Sequence, residues 1–294
     1  MCDILLSLTK NRTYQNRLSN FMLNSLLLFC VIACYLAATF LIALYIRTDI
    51  STKGEIKYLT FASIIGAIGC IANLAYWYQI GLTATSLNFS AYSMMVLISG
   101  ILVAIYLLCS LAMPIRRLGI IVFPLSLFGF LLSLMWTKDS VTSLTMSKSL
   151  TMHILVSITA YALLTIATVQ GLLYIYQERQ IKNRATPAML MALPPLQTME
   201  QLLFRLIWAG FICLSLTLFS GALFSQHIFG HAFLFKHHTI LPFIGWLVFV
   251  VVLFKRLKYG IRGSQAVILT IIGLVLIQLG YFGTKLISES IALN

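Results

Sequence analysis

Five histidines are the residues of this chain best suited to chemistry, and all five fall in segments that a charge count assigns to one face of a membrane. His153 opens one hydrophobic span, and the others follow a later span, at His227, His231, His237 and His238. Imidazole is the side chain most often used to bind a metal, including haem iron, near neutral pH. The histidines therefore indicate a site for a metal or a metal-containing cofactor at that face.

The later histidines lack the companions that a zinc site needs. His227 and His231 have a spacing that presents two ligands together if the segment is helical. No cysteine, aspartate or glutamate accompanies them between residues 225 and 238, so a structural zinc site would lack a full set of ligands. A planar cofactor that needs one or two axial nitrogens fits better. An ordinary cluster of interfacial histidines is the alternative.

His153 also begins a polar stripe on its predicted helix. His153 and Ser157 are one turn apart, and Ala160 and Tyr161 follow at the next turn, so they share one face. Such a stripe is typical of a ligand site, and equally of imidazole and hydroxyl groups that bond across packed helices. Both interpretations stay open from these residues alone.

The composition indicates that lipid surrounds the elements that carry these residues. The chain has 294 residues, is 60% hydrophobic and only 9% charged, and has a mean hydropathy of +0.97; soluble domains are about a quarter charged. A membrane span needs about 20 mostly apolar residues. The segments that qualify are 21–46, 58–80, 90–113, 118–136, 150–176, 206–226, 239–254 and 265–287. The sequence therefore predicts an all-α, polytopic integral membrane protein with about eight transmembrane helices in one bundle.

These spans define one membrane domain over residues 22–288, followed by a tail over 289–294. Residues 1–21 form an N-terminal extension that adds three basic residues to the less basic side of the membrane, and Met22 is interpreted as an alternative start. The stretch Glu200–Arg205 is amphipathic, and we expect it to lie in the membrane interface before the chain turns inward.

The distribution of Lys and Arg predicts the orientation in a bacterial inner membrane. The connections 1–2, 3–4, 5–6 and 7–8 carry 13 of the 20 basic residues, and the opposite side carries 7. We therefore expect the first group of connections in the cytoplasm, and both termini and the histidines in the periplasm.

Several classes of function are disfavoured by the same inventory. The net charge of +13 needs no nucleic-acid partner, because it reflects the cytoplasmic bias and contact with anionic lipid headgroups. No acidic residue lies in the middle of a span, which disfavours a proton-driven transporter. We find no Walker loop, carboxylate pair or Ser-His-Asp arrangement, so we expect that the protein is not an enzyme. The cysteines of the spans have no Cys-x-x-Cys spacing and are interpreted as small hydrophobic residues.

Five short motifs after the His153–Tyr161 helix carry a family resemblance. They are LPPLQTME at 193–200, LSLTLFSG at 214–221, GWLVF at 245–249, YGIRG at 259–263 and LGYFG at 279–283. Together they resemble the cytochrome c assembly family, and in particular the HemX-like inner-membrane branch related to the haem handlers CcsA and CcmC. The resemblance covers roughly residues 22–288 and is strongest from residue 150 onward.

The resemblance implies haem as cofactor and specific residues to hold it at the periplasmic face. His153 matches a histidine that serves as an axial iron ligand in the haem-handling members. His237 matches a frequent histidine position and is the first candidate for a second ligand, with His231 next. Tyr161 and Trp246 are candidate contacts to the porphyrin. Haem, membrane lipid and other cytochrome c assembly membrane proteins are the implied partners.

Three departures from the family pattern bear on function. The tryptophan-rich signature of the full haem-presenting members is missing, Phe254 replaces one of their histidines, and Asn73 stands where many relatives have another. An amide cannot replace imidazole as a strong iron ligand, so we expect Asn73 to bond to a neighbouring helix. The sequence predicts an accessory haem-handling protein of cytochrome c assembly. The alternative is a cofactor-free membrane scaffold or regulator of cytochrome assembly or tetrapyrrole synthesis.

Overall fold

The structure, a computed structural model, describes the backbone of residues 2–47, 52–81, 86–88, 90–135, 143–145, 148–183, 194–229 and 237–280. Side chains are described for residues 22–47, 57–81, 90, 92–135, 150–183, 194–223 and 240–280. The predicted boundaries of the extension over 1–21 and of the tail over 289–294 stay predictions.

Helices account for most of the described chain. They are α1 (Cys2–Arg47), α2 (Thr52–Gly81), α3 (Ala91–Ala112), α4 (Gly119–Ser133), α5 (Lys148–Lys182), α6 (Leu196–Phe229), α7 (His237–Tyr259) and α8 (Gly263–Gln278). A 3₁₀ turn over Arg116–Leu118 precedes α4. Backbone amides cannot find partners in hydrocarbon, so long apolar segments satisfy them within their own helices.

The predicted spans agree with these helices. In the part of the chain that the structure describes, seven helical segments are long and apolar enough to cross a membrane: Met22–Arg47, Lys57–Gly81, Tyr92–Ala112, Arg116–Ser133, Leu150–Lys182, Leu196–Leu223 and Ile240–Tyr259. The shorter apolar helix Gly263–Gln278 is the eighth. The prediction of a polytopic α-helical bundle with about eight helices is therefore confirmed. The end of the last predicted span, beyond residue 280, lies outside the described residues.

Two very short strands join the connections at one end of the bundle. β1 (Ser86–Asn88), between α2 and α3, pairs antiparallel with β2 (Ser143–Thr145), between α4 and α5. We call this end the His153 end, because α3, α5 and α7 begin there and α2, α4 and α6 finish there. The opposite end is called the Arg256 end.

The sixth span differs from its prediction. The expected turn after Glu200–Arg205 is wrong, because α6 is one continuous helix over Leu196–Phe229; the interfacial position of this stretch stays a prediction. Met199, Leu202 and Leu203 are buried in the bundle, and Glu200 is paired with a basic residue of α7. The charge that suggested an interfacial position is thus compensated by a neighbouring helix.

The helices pack as two groups that share one core. α1, α2, α3 and α4 contact one another in chain order, and α1 also contacts α4. In the second group α5 contacts α6 and α8, and α8 contacts α7. The α3–α5 contact joins the groups. Large aromatic side chains fill the first group, where the Phe123 ring lies 5.9 Å from Tyr35 and 5.4 Å from Tyr106.

Arg256 ties three elements together at the Arg256 end. Its guanidinium bonds to the Glu200 carboxylate of α6 and donates to the Ile261 carbonyl at 2.8 Å. It also lies 4.2 Å from the centre of the Phe204 ring. The turn is possible because Gly260 has a φ of +60°, a conformation that ends helices and that glycine adopts without strain.

Asn73 supplies a second polar connection, in the middle of the bundle. Its side chain is 0% exposed, and its Nδ2 donates to Ser99 Oγ of α3 at 2.9 Å and to Tyr35 OH of α1 at 3.4 Å. The prediction that Asn73 bonds to a neighbouring helix is confirmed. The amide thus holds α1, α2 and α3 together.

We expect Arg256→Met to lower the free energy of unfolding in detergent by about 2 kcal/mol, since it removes a charged hydrogen bond, an ion pair and a ring contact. Thermal unfolding measures this change. Lys258→Met is the matched control, because Lys258 lies on the same helix and is exposed. Equal effects of the two substitutions would contradict the role of Arg256.

We expect Asn73→Leu to destabilise the bundle by about 1 kcal/mol, because polar contacts between membrane helices contribute about 0.6 kcal/mol each. Unfolding by a denaturing detergent, followed by tryptophan fluorescence, measures this difference. The exposed Gln79 of the same helix gives the control, Gln79→Leu. A variant as stable as wild type would show that the amide contacts contribute nothing.

Candidate functional site

The central residue of the candidate site is His153, the sixth residue of α5. Its side chain is half-buried, and its Nδ1 lies 2.7 Å from Ser220 Oγ near the end of α6. α5 and α6 are consecutive and antiparallel, so the beginning of one meets the end of the other. Gly221 adjoins the ring, since a Cβ there would lie 3.3 Å from His153 Cε1. The small residue lets the imidazole sit against α6.

Ser220 Oγ has one hydrogen and two acceptors within reach, the Thr217 carbonyl at 3.1 Å and His153 Nδ1 at 2.7 Å. When the hydrogen goes to the carbonyl, Nδ1 donates to Ser220 and the lone pair of the neutral imidazole is on Nε2; when it goes to Nδ1, the roles of the two ring nitrogens reverse. Metal-binding histidines commonly have the first arrangement, in which the other ring nitrogen donates to a neighbouring acceptor.

The contacts shown for the other residues of the predicted stripe lie within α5 and against the core. Ser157 Oγ donates to the His153 carbonyl at 2.6 Å, within its own helix. Ala160 is fully buried, and Tyr161 is partly buried against the main core. Of the stripe, His153 is the residue whose side chain is shown bonded to another helix.

Trp246 is held by the same helix through a different serine. Its indole Nε1 donates to Ser215 Oγ at 2.9 Å. Its ring stacks between Phe211, with centroids 5.7 Å apart, and Phe243, 5.8 Å away. Trp246 therefore fixes α7 against α6.

His153 and Trp246 approach α6 from different sides. Ser215 and Ser220 are five residues apart, which corresponds to about 140° of rotation and about 7.5 Å of rise in an α-helix. The contacts shown do not bring the imidazole and the indole together. The assignments of Tyr161 and Trp246 to a porphyrin stay predictions.

The predicted second ligand falls where no side chain is described. His237 is the first residue of α7 and His227 lies in the last turn of α6, both at the His153 end, but only their backbones are described. His231 lies outside the described residues. Among residues whose side chains are described, no group of three or more His, Cys, Asp or Glu residues could hold a metal ion.

The sequence did not single out Ser215 and Ser220. Both lie in the motif LSLTLFSG, so the signal was a pair of hydroxyls in an apolar helix. Nothing in the sequence shows which hydroxyl meets His153.

The comparisons with known proteins agree with the motifs. The sequence model described as cytochrome c assembly protein matches residues 59–292. The inner membrane protein YpjD of Escherichia coli K12 is 28% identical over 172 residues, which is 58% of this chain and 64% of YpjD. No solved structure matches the chain.

Two similar proteins carry the name cytochrome c biogenesis protein CcsA. That of Spinacia oleracea is 30% identical over 117 residues, 39% of this chain and 36% of the relative. That of Chlamydomonas reinhardtii is 28% identical over 145 residues, 49% of this chain and 40% of the relative. The chain thus spans less than two thirds of the length of each relative reported. The HemX-like branch is not distinguished by these relatives and stays a prediction.

We expect His153 to be protonated on Nδ1 when neutral. Nitrogen-15 NMR of histidine-labelled protein in detergent distinguishes the two neutral forms of the ring. Ser220→Ala removes the acceptor and should abolish this preference, whereas Ser215→Ala, on the same helix, should leave it unchanged. A preference for Nε2–H in wild type would contradict the hydrogen-bond assignment.

Proposed function

Because this chain belongs to the cytochrome c assembly protein family, we propose that it is an accessory protein of cytochrome c assembly that holds haem through His153. The protein is a multi-pass membrane protein. The proposal places it in the bacterial inner membrane with both termini and the His153 end in the periplasm, and it is supported by the distribution of basic residues. Its proposed partners are haem, lipid and other membrane proteins of cytochrome c assembly.

The hydrogen bond between His153 and Ser220 is the observation that carries this proposal. It holds a half-buried imidazole against α6, and when Nδ1 is the donor the lone pair on Nε2 is the one that an iron ligand uses. A single oriented imidazole at the end of an apolar bundle fits haem better than zinc, because haem iron needs only one or two protein nitrogens.

Each of the predicted residues has a defined part in the proposal. When bound, haem would supply an iron that nitrogen can ligate. His153 would hold the iron from α5, and His237 at the start of α7, or His231 after it, would be the second ligand. Tyr161 and Trp246 would contact the porphyrin. The role of the chain is binding and positioning, so the protein is not proposed to be an enzyme.

One observation favours a cofactor-free scaffold as the second candidate. Phe254, which replaces a family histidine, is 54% exposed on the surface of α7, and Lys258 lies 5.6 Å from its ring. Asn73, which replaces the other, is engaged in bonds to α1 and α3. Neither Phe254 nor Asn73 offers an iron ligand. The lack of ligands at these two positions favours a scaffold or regulator of cytochrome assembly or tetrapyrrole synthesis that binds no cofactor.

We expect the protein purified in detergent to bind haem with a Soret band distinct from that of free haem. His153→Ala should remove this band. Ser220→Ala should weaken binding about tenfold, because second contacts to metal-binding histidines are typically worth about 10- to 100-fold. Absorption titration measures both.

His227→Ala is the matched control, since His227 lies at the same end of the bundle and is not among the residues proposed to hold haem. Wild-type protein without a Soret band after haem addition would contradict haem binding. If a stable membrane partner then co-purified without a chromophore, the scaffold would be the better description.

A further inference from the structure

Two buried hydrogen-bond donors meet at the His153 end, where α2 finishes and α3 begins. They are Trp77 Nε1 and Ser93 Oγ, and both are buried with no hydrogen-bond partner. Ser93 is 0% exposed. A buried polar group without a partner costs about 1–3 kcal/mol, and in lipid no solvent compensates for it. Two such groups at one place indicate that an acceptor belongs there.

The geometry allows one oxygen to serve both donors. A Cβ on Gly81 would lie 2.6 Å from Trp77 Nε1 and 2.8 Å from Ser93 Oγ, so the two donors can be no more than about 5.4 Å apart. An oxygen about 2.9 Å from each donor bridges a gap of this size. Glycine at position 81 is what lets both donors approach the same point. We call this arrangement the Trp77–Ser93 notch.

The charge expected in the notch is negative. Indole N–H is only a donor, and the Ser93 hydroxyl is available to donate. Ser93 lies in the first turn of α3, and Ser90 caps the helix by accepting from the Ser93 backbone amide at 3.3 Å. The positive end of the helix dipole therefore favours an anion beside Ser93.

The acidic side chains that the structure describes do not lie at the notch. They are Glu178, near the end of α5, and Glu200, near the start of α6, both at the Arg256 end. Neither of these two carboxylates can therefore supply an anion to the notch.

The notch is connected to His153 by packing. Trp77 belongs to a small apolar cluster with Met94 and Leu97 of α3 and with Ile154 and Ile158 of α5. Ile154 follows His153 directly in the chain. The indole and the imidazole therefore lie at the same end of the bundle, the indole against the α3–α5 contact and the imidazole against α6.

From these observations we propose that the Trp77–Ser93 notch binds a carboxylate of a porphyrin guest whose iron is held by His153. This inference rests on the proposed function and deepens it. The macrocycle carries its carboxylates at its edge, away from the metal, so a site for them belongs on an element beside the ligand helix. α3 contacts α5 directly, and Trp77 of α2 packs against the cluster that includes Ile158 of α5.

The test compares porphyrins that differ in one group at a time. Metal-free protoporphyrin IX and its dimethyl ester are titrated into wild type, Trp77→Phe and Ser93→Ala in detergent, and porphyrin absorption gives the affinities. Wild type should bind the free acid about tenfold more tightly than the ester, the size of effect expected for a hydrogen bond to a charged group. Each substitution should remove most of this preference and leave the affinity for the ester unchanged.

Two controls match these substitutions. Trp208→Phe changes a partly exposed tryptophan of α6, and Ser63→Ala changes a serine of α2 that bonds to the Leu59 carbonyl. Both should keep the preference for the free acid. Thermal unfolding checks that each variant is folded. If Trp77→Phe does not fold, the test is made with Ser93→Ala alone.

The outcomes separate this inference from the proposed function. If the substitutions weaken the binding of the free acid and the ester equally, or change neither, the carboxylate assignment is overturned. If the notch holds only water, the substitutions change the stability of the protein and leave its preference for the free acid unchanged, which also overturns the assignment. Haem dimethyl ester, compared between wild type and His153→Ala, tests iron binding alone. If wild type and His153→Ala bind haem dimethyl ester equally while the preference for the free acid is kept, iron ligation by His153 is overturned and the notch stays supported. Binding of no porphyrin by wild type would overturn both.

Discussion

Hydrocarbon offers no hydrogen-bond partners, and this constraint gives three serines of the bundle the same arrangement. Ser99, Ser215 and Ser220 each donate their hydrogen to a carbonyl of their own helix. The hydroxyl oxygens of Ser99 and Ser215 accept from Asn73 and Trp246 of neighbouring helices. Ser220 is hydrogen-bonded to His153 Nδ1 of α5, with the donor set by the ring tautomer. The same arrangement therefore fixes helix packing at two positions and the orientation of the candidate ligand at the third.

Most of the fold could be predicted from the sequence, because a bilayer sets both the length and the apolar character of each span. The start of α6 could not. Glu200 and Arg205 looked interfacial, but Glu200 is paired with Arg256, which is 56 residues away in the chain. A contact between residues so far apart leaves no local signal in the sequence.

Only part of the candidate site could be predicted, because its hydrogen-bond partners also come from distant parts of the chain. The spacing of His153 and Ser157 placed them correctly on one face of α5, and Asn73 was correctly expected to bond to another helix. The partners were not predictable. α6 offers Ser215, Thr217 and Ser220 within two turns, and which of these reaches His153 depends on how far α6 is rotated and shifted against α5.

The pairing of β1 with β2 has a mechanical consequence. β2 ends at Thr145, three residues before α5 begins at Lys148, and its partner β1 lies on the connection that leads into α3. Backbone hydrogen bonds between β1 and β2 thus connect the first four-helix group to the segment that leads into α5, the helix of His153. Any displacement of β2 that accompanied a shift of α5 would be passed through these backbone bonds to β1 and the start of α3.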